Sequence, residues 1–351
     1  MVQGQTVDPP STVFVTGASG YIAKHICLKL LDEGYRVVGS VRTPARAQET
    51  LNAIRAHLDE DADSDDRLRL VTLDLDDDAG WSDAMLGADA LIHTASPLPL
   101  EQPDDPREIV RTAVDGAVRA MRAAQAAGVG RVVMTSSTAA IMSQDLPDGL
   151  EVYDETVWSD PEYPSITPYA KSKTLAERAA WDVVAREAPG LKLTVINPSF
   201  VLGAPLDDHL SASIKVVQRL LRGKHPALPD LGFTCVDVGD IADMHVRALT
   251  TPASVGQRII GADRFVHLVQ MAKILAAAYP DRRIATRQAP DWLIRLIGLF
   301  DRPVRSIIPR LGERDEVSNA LAKELLDIDF SDVRHSIRTS ADFLVARGLV
   351  K

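Results

Sequence analysis

The chain has 351 residues, 49 of them acidic and 39 basic, giving a formal charge of −10. It is 46% hydrophobic and 25% charged, an ordinary globular composition that excludes fibrous and disordered classes. That length suits two domains, or one large α/β domain with an appendage. The acidic balance argues against nucleic acid or an anionic membrane as the main partner, because either repels such a chain at long range. Two cysteines cannot build a disulfide framework, so a reducing, cytoplasmic setting is expected. Residues 1–10 have neither a basic start nor an apolar run, and no stretch reaches the ~18 apolar residues of a membrane span. Residues 1–11 are expected to be a disordered tail, without a targeting signal.

From Thr12 onward, apolar runs alternate with amphipathic segments, the signature of a parallel sheet wrapped by helices. Thr12–Thr16 reads as a strand. Tyr21–Glu33 reads as a helix, with Ile22, Ile26, Leu30 and Leu31 on one side and Gly34 closing it. Val37–Val41 is the second strand, Arg46–Leu58 a helix, and Asp59–Asp66 an acidic stretch. Leu68–Leu73 and Ala90–Ala95 read as buried strands. Ile109–Ala127 is a helix stopped by Gly128, and Arg131–Ser136 a strand. Pro168–Glu187 is helical, with proline tolerated in its first turn, and Leu191–Asn197 is the sixth strand. Beyond Pro198 the rhythm loosens: helices are expected over Ser211–Arg222, Asp240–Leu249, Met271–Ala278 and Asp291–Leu299, with a late strand at Gln257–Gly261. No internal repeat or low-complexity linker interrupts the chain.

The first strand runs into Thr16-Gly17-Ala18-Ser19-Gly20-Tyr21-Ile22-Ala23 and then a helix. Gly17 permits a tight turn, Gly20 lets backbone approach a pyrophosphate, and Ala23 allows close helix–strand packing. The helix N-terminus adds free N–H groups for phosphate, so Ser19, Gly20, Tyr21 and Ile22 are candidate contacts. A glycine trio alone is weak; its place in an opening βαβ unit makes it strong. A NAD site usually ends its second strand in Asp or Glu, which bonds the ribose 2′-hydroxyl. This one ends Gly39-Ser40-Val41-Arg42-Thr43, with Arg46 one turn later. Arg42 can stack on adenine and pair a 2′-phosphate while Arg46 closes the other side, so NADP(H) is favoured. Asp74 and Leu75, after the third strand, are the expected adenine contacts.

Tyr169 and Lys173 lie four apart in a helical segment and share a face. Ser137 follows the fifth strand, at the carboxyl edge where a doubly wound sheet holds its ligand. A phenol titrates near ~10; a cationic Lys173 and an oxidised nicotinamide both favour phenolate and bring proton exchange towards neutral pH. Ser137 can hydrogen-bond a carbonyl oxygen and stabilise the developing alkoxide. Lys171, two residues from Tyr169, points elsewhere.

Together TGASGYIA (16–23), Arg42, HTASP (93–97), VVMTSS (132–137), YAKSK (169–173) and INPSFVLG (196–203) resemble the extended short-chain dehydrogenase/reductase superfamily, and within it the dihydroflavonol-4-reductase-like branch of NADPH-dependent aldehyde and ketone reductases. The resemblance spans residues 12 to 351, is highly specific up to Gly203 and weaker afterwards, although VDVGDIADMHVRAL (236–249) also matches. It implies an α/β, doubly wound parallel-sheet Rossmann fold with a smaller C-terminal α/β substrate cap: 12–198 binding NADP, with returning segments about 234–262, and 199–233 with 263–351 as cap. It implies a Ser137–Tyr169–Lys173 triad, Lys173 also holding the nicotinamide ribose. It adds cofactor contacts from Thr94, Ala95 and Ser96, and from Pro198 and Ser199 beside the nicotinamide. Three departures stand out: Ala23 replaces the third loop glycine, Ala113 sits near the place of a proton-relay Asn, and Gly239 stands where relatives often carry Arg.

The implied activity is NADPH-dependent reduction of an aldehyde or ketone, or the reverse oxidation of a secondary alcohol. Rival readings are a 3β-hydroxysteroid dehydrogenase, a NAD-dependent sugar-nucleotide epimerase or dehydratase, and a non-catalytic NADP(H) sensor. Pro97, Thr138, Phe200 and Trp158 are candidate pocket residues, Trp158 equally able to pin its loop to the core. His93 is expected to be a satisfied core group, and no metal is expected, since the histidines and cysteines lack ligand spacing. Asp291–Leu311 is strongly amphipathic, and a buried cap or pocket-lid helix is preferred over a membrane-surface helix because Pro303 interrupts it. Partners are a small carbonyl or alcohol and no nucleic acid, with monomer and homodimer both open.

Overall fold

The computed structural model describes residues 11–58, 66–97 and 105–350. The expected tail, apart from Ser11, and most of the acidic stretch after Leu58 lie outside the described residues. Ser11 is fixed: its amide and hydroxyl both donate to Asp89 at 2.9 Å.

Among the described residues, strands run in chain order as β1 (Thr12–Thr16), β2 (Arg36–Val41), β3 (Leu68–Thr72), β4 (Ala90–His93), β5 (Arg131–Thr135), β6 (Lys192–Pro198), β7 (Phe200–Leu202), β8 (Gly232–Asp237), β9 (Arg258–Gly261) and β10 (Arg264–His267). The α-helices of the described residues accompany them: α1 (Tyr21–Asp32), α2 (Pro44–Arg55), α3 (Trp81–Met85), α4 (Pro106–Ala126), α5 (Pro168–Arg186), α6 (Ala212–Arg222), α7 (Val238–Thr250), α8 (Leu268–Ala278), α9 (Asp291–Ile297), α10 (Arg302–Ile307), α11 (Ala320–Leu326) and α12 (Val333–Ala346).

Seven strands form one parallel sheet in the order β3-β2-β1-β4-β5-β6-β9. Both faces are covered, which is why β4 (ALIH) is buried at every residue rather than alternating. On one face Ile26 and Leu30 of α1 pack with Ile241 and Met244 of α7. On the other, Ala120 and Met121 of α4 meet Ala176 and Ala180 of α5. Because β1 lies between β2 and β4, the strand order reverses there, and a crevice opens beyond the carboxyl ends of β1 and β4.

A second, three-stranded sheet has the order β10-β8-β7, with β10 antiparallel and β7 parallel to β8. Its helices α6, α8 and α12 enclose a separate core around Ile214, Met271 and Ile337. Strand β9 returns to the large sheet, whereas β8, inside the expected returning segment, belongs to the small one. Helix α11, inside the expected cap, puts Ala322 and Leu326 into the large core. The two units are thus interleaved along the chain.

The 291–311 segment differs from the preferred buried reading. It forms two short helices, α9 and α10, rather than one, and its Trp292 and Phe300 are exposed. No helix among the described residues is long and apolar enough to cross a membrane.

Candidate active site

The crevice is a cleft of about 1450 Å³ running from the end of β1 to the small sheet. It exceeds the usual span of small-ligand pockets, so it has room for a dinucleotide and a substrate together.

At its floor, β1 passes through Gly17 to Gly20, the N-cap of α1. Gly17 has φ +64°, and a Cβ there would lie 2.9 Å from the Ala95 Cα. Left-handed backbone and close passage of the loop after β4 both require glycine here. Thr16 ties the two strand ends together. Its Oγ1 accepts from the amides of Thr94 (3.0 Å) and Ala95 (3.1 Å). Its own proton is then left for His93 Nδ1 at 2.8 Å. Burial lowers His93 to about 3, so this ring is neutral and structural, as its sequence position suggested. Ser19, Gly20, Tyr21 and Ile22 all line the cleft. The Tyr21 hydroxyl, however, turns to the cap and donates to the Gly203 carbonyl at 2.9 Å.

At the adenosine end, Arg42 and Arg46 both line the wall. Arg42 Nη2 reaches Asp74 Oδ1 at 3.4 Å, and Arg46 pairs with Glu49 at 3.0 Å. Leu75 faces the cleft. Asp74 does not, being occupied with Arg42 and the Asp76 amide. Ser40, not singled out in the sequence, lines the cleft and accepts from the Gly17 amide at 3.2 Å.

The reacting end is built on α5 and the end of β5. Thr167 caps α5 by accepting from the Ala170 amide at 3.1 Å, and Pro168 starts its first turn. That start fixes the rotation that turns Tyr169 and Lys173 inward. Tyr169 is half-buried on the cleft wall beside Ser137; desolvation raises its pKa and Ser137 partly offsets the rise. The lowering expected from Lys173 is therefore not present in the chain by itself. Lys173 is lowered to about 8 by burial, opposed by the charge of Glu177. Ser137 Oγ also accepts from the Ala139 amide, and Asn197 Nδ2 holds the Ser137 carbonyl, both at 3.2 Å.

Behind Lys173 lies a network that sequence reasoning did not find. Glu177, fully buried, accepts from Ser136 Oγ (2.5 Å), Asn197 Nδ2 (2.9 Å) and Arg258 Nε (2.5 Å). Arg258 in turn stacks on Trp158 at 3.6 Å, with Arg178 at 5.2 Å from the same ring. This explains why Trp158, expected in the substrate pocket, is outside the cleft lining: two guanidinium groups hold its ring. The i, i+4 spacing of Lys173 and Glu177 was the available signal, but the partners of Glu177 come from distant strands.

Thr94, Ala95, Ser96, Pro97, Thr138, Pro198, Ser199 and Phe200 do come together along the cleft. Phe200 stacks on Phe233 of β8 with centroids 4.2 Å apart. Ser199 Oγ is buried without a hydrogen-bond partner. Among the described residues, no group of three or more His, Cys, Asp or Glu side chains is placed to hold a metal ion.

A family model described as the NAD dependent epimerase/dehydratase family matches residues 13–261. The chain belongs to that family. Within it the chain is similar to the dihydroflavonol-reductase-like reductases. Cinnamoyl-CoA reductase 1 of Arabidopsis thaliana is 37% identical over 278 residues, 79% of this chain and 77% of that protein. Tetraketide alpha-pyrone reductase 1 of the same plant is 34% identical, over 78% of this chain and 83% of its own. Yeast methylglyoxal/isovaleraldehyde reductase, solved in complex with NADPH, superposes with a TM-score of 0.79 at 25% identity, covering 97% of this chain and all of that one.

Proposed function

We propose that the chain reduces an aldehyde or ketone to its alcohol, or oxidises a secondary alcohol in reverse, with Ser137, Tyr169 and Lys173 as the working groups. It is an NADP-dependent oxidoreductase, like the relatives named above. The observation that supports the finer reading is the convergence of Ser137, Tyr169 and Lys173 on one cleft, with Lys173 buried one turn from Tyr169.

The residues present fit NADP(H). The N-terminus of α1 offers backbone N–H groups to the pyrophosphate. Arg42 and Arg46 line the cleft and would supply positive charge to a 2′-phosphate, and no strand-end acid opposes it. Ser199 contributes a buried hydroxyl whose hydrogen bond is unmade within the protein, the kind of group that a ligand satisfies. Bound there, NADPH supplies the hydride.

The protein's own part is to handle the oxygen. Burial keeps Tyr169 a neutral phenol, the form that gives a proton. Ser137 donates to the substrate oxygen as negative charge builds on it. Lys173, with pKa about 8, is still mostly ammonium at neutral pH and stabilises the phenolate that Tyr169 leaves behind.

The test is oxidation of NADPH against aliphatic aldehydes, aryl ketones, flavanonols and 3-ketosteroids. Tyr169→Phe is expected to lose turnover by about 10²–10⁴-fold while NADPH affinity stays. Retained turnover overturns the assignment. Turnover of 3-ketosteroids alone redirects the reading to a 3β-hydroxysteroid dehydrogenase, and no net NADPH oxidation redirects it to an epimerase or a sensor.

A further inference from the structure

Three side chains in the first two turns of α1 are spent on the 203–211 loop between β7 and α6. The Tyr21 hydroxyl donates to the Gly203 carbonyl at 2.9 Å. His25, a ring that burial keeps neutral by lowering it to about 4, donates from Nε2 to the Ala204 carbonyl at 3.1 Å. Lys24, 1% exposed, forms an ion pair with Asp207. Helix α12 ties the same loop to the small unit. Ser340 Oγ accepts from the Gly203 amide, and Arg347 Nε donates to Asp208 Oδ1, both at 2.8 Å. A buried ion pair adds little net stability, because desolvating both charges offsets their attraction. Its physical effect here is placement: Lys24 keeps its carboxylate only while the loop stays against α1.

What the fixed loop presents to the cleft is His209. Its amide donates to Asp207 Oδ1 at 3.1 Å, so the carboxylate that takes Lys24 also sets the course of the chain at His209. Both His209 and Arg46 line the cleft. Arg46 Nη1 stands 3.0 Å and His209 Nε2 3.9 Å from one and the same oxygen, Oε2 of Glu49. His209 Nδ1 stands 3.7 Å from Asp207 Oδ2. Both ring distances exceed hydrogen-bond length, so the imidazole lies near two carboxylates and is bonded to neither.

A guanidinium on α2 and an imidazole on the loop thus converge on one anionic oxygen at the adenosine end of the cleft. The Glu49 side chain is half-exposed and is free to swing into solvent. The position it leaves suits a phosphate, whose three acceptor oxygens can take donors from several elements at once. Imidazole offers an N–H in either protonation state. The charges of Arg46 and Glu49 both reach Lys24 as well, which places the loop anchor in the same cluster.

We propose that His209 is a cap-side ligand of the cofactor's 2′-phosphate, acting with Arg46 and positioned by the Lys24–Asp207 ion pair. The proposal rests on the reading of Arg42 and Arg46 as the groups that receive that phosphate. It makes the choice of NADP over NAD a joint property of both units rather than of the large sheet alone.

The test is equilibrium titration, without substrate, of adenosine 2′,5′-bisphosphate and adenosine 5′-monophosphate, which present the adenosine end with and without the extra phosphate. The parent protein is expected to bind the bisphosphate more tightly. His209→Ala is expected to weaken the bisphosphate by about tenfold, the scale of one hydrogen bond to a charged group, and to leave the monophosphate and the thermal midpoint in place. Asp207→Asn keeps the shape of the anchor and removes its charge; it is expected to weaken the bisphosphate selectively, with little further loss when His209→Ala is added. Unchanged bisphosphate affinity in His209→Ala overturns the proposal and leaves the Arg42–Arg46 site standing. Equal loss of both nucleotides also overturns it, because His209 then covers the adenosine without reading the phosphate. Losses that simply add in the double variant overturn the positioning role of Asp207. A parent protein that does not distinguish the two nucleotides overturns the proposal together with the reading beneath it.

Discussion

Replacing Glu177 by glutamine tests the buried network and the electrostatics of Lys173 together. Glu177 is fully buried and Arg258 is 8% exposed, so solvent screens their pair little. Deleting one partner of such a pair typically costs about 3–5 kcal/mol. Arg258 keeps other acceptors, the carbonyls of Val157 (2.6 Å), Glu155 (3.0 Å) and Ala140 (3.3 Å), and its stack on Trp158. The cost is therefore set lower, at roughly 2–3 kcal/mol, a fall in thermal midpoint of roughly 4 °C for a chain of this size. The amide also has one acceptor oxygen where the carboxylate had two. With that oxygen on Arg258, its NH₂ faces the Asn197 amide donor. Asn197 Oδ1 has no partner, so Asn197 can turn over and accept, releasing its hold on the Ser137 carbonyl. Loss of the anion also lowers Lys173 further below about 8. Burial already sets this lysine under its ordinary 10.5. Its contribution to stability is therefore complete above pH 10.5 and is lost as pH falls through about 8. The measurements are a thermal melt and a kcat profile across pH 6 to 10. In the parent protein the alkaline fall in carbonyl reduction is expected near pH 8, and in the variant at lower pH. An unchanged midpoint together with an unmoved alkaline limb refutes the reasoning.

Four further substitutions separate the parts of the cleft. Arg42→Asp places a strand-end acid there and is expected to lower the NADPH-over-NADH preference in kcat/KM by about 10–100-fold; Arg46→Ala changes it less, because it adds no acid and because the Arg46–Glu49 pair at 3.0 Å is tighter than the Arg42–Asp74 pair at 3.4 Å. Gly17→Ala forces a Cβ into left-handed backbone and into Ala95, and a loss of about 1–2 kcal/mol in stability with weaker NADPH binding is expected by melting and titration. Ser199→Ala removes a buried hydroxyl that has no protein partner. The ligand-free midpoint is expected to hold or rise while NADPH binds roughly fivefold more weakly; an equal NADPH affinity would show that the hydroxyl serves the protein and not the cofactor.

How much of this was legible follows from the range of the forces involved. The central strands were readable because burial on both faces leaves continuous apolar runs, as in β4, and the shared face of Tyr169 and Lys173 because helix geometry alone brings residues four apart together. Strands β7 and β10 have three and four residues, too few to show a period, and β8 exposes one edge of its pattern to the cleft. Trp158 was ambiguous for a different reason: the ring is placed by Arg258, which only the β6–β9 pairing brings near. Glu177 was not singled out in the sequence because its partners Ser136, Asn197 and Arg258 come from distant segments. The α9 stripe is the sharpest case, since an apolar face at helical spacing has one sequence pattern whether a core or a membrane covers it. Pattern identifies a surface that seeks a partner. Only the fold shows that the described residues do not cover it.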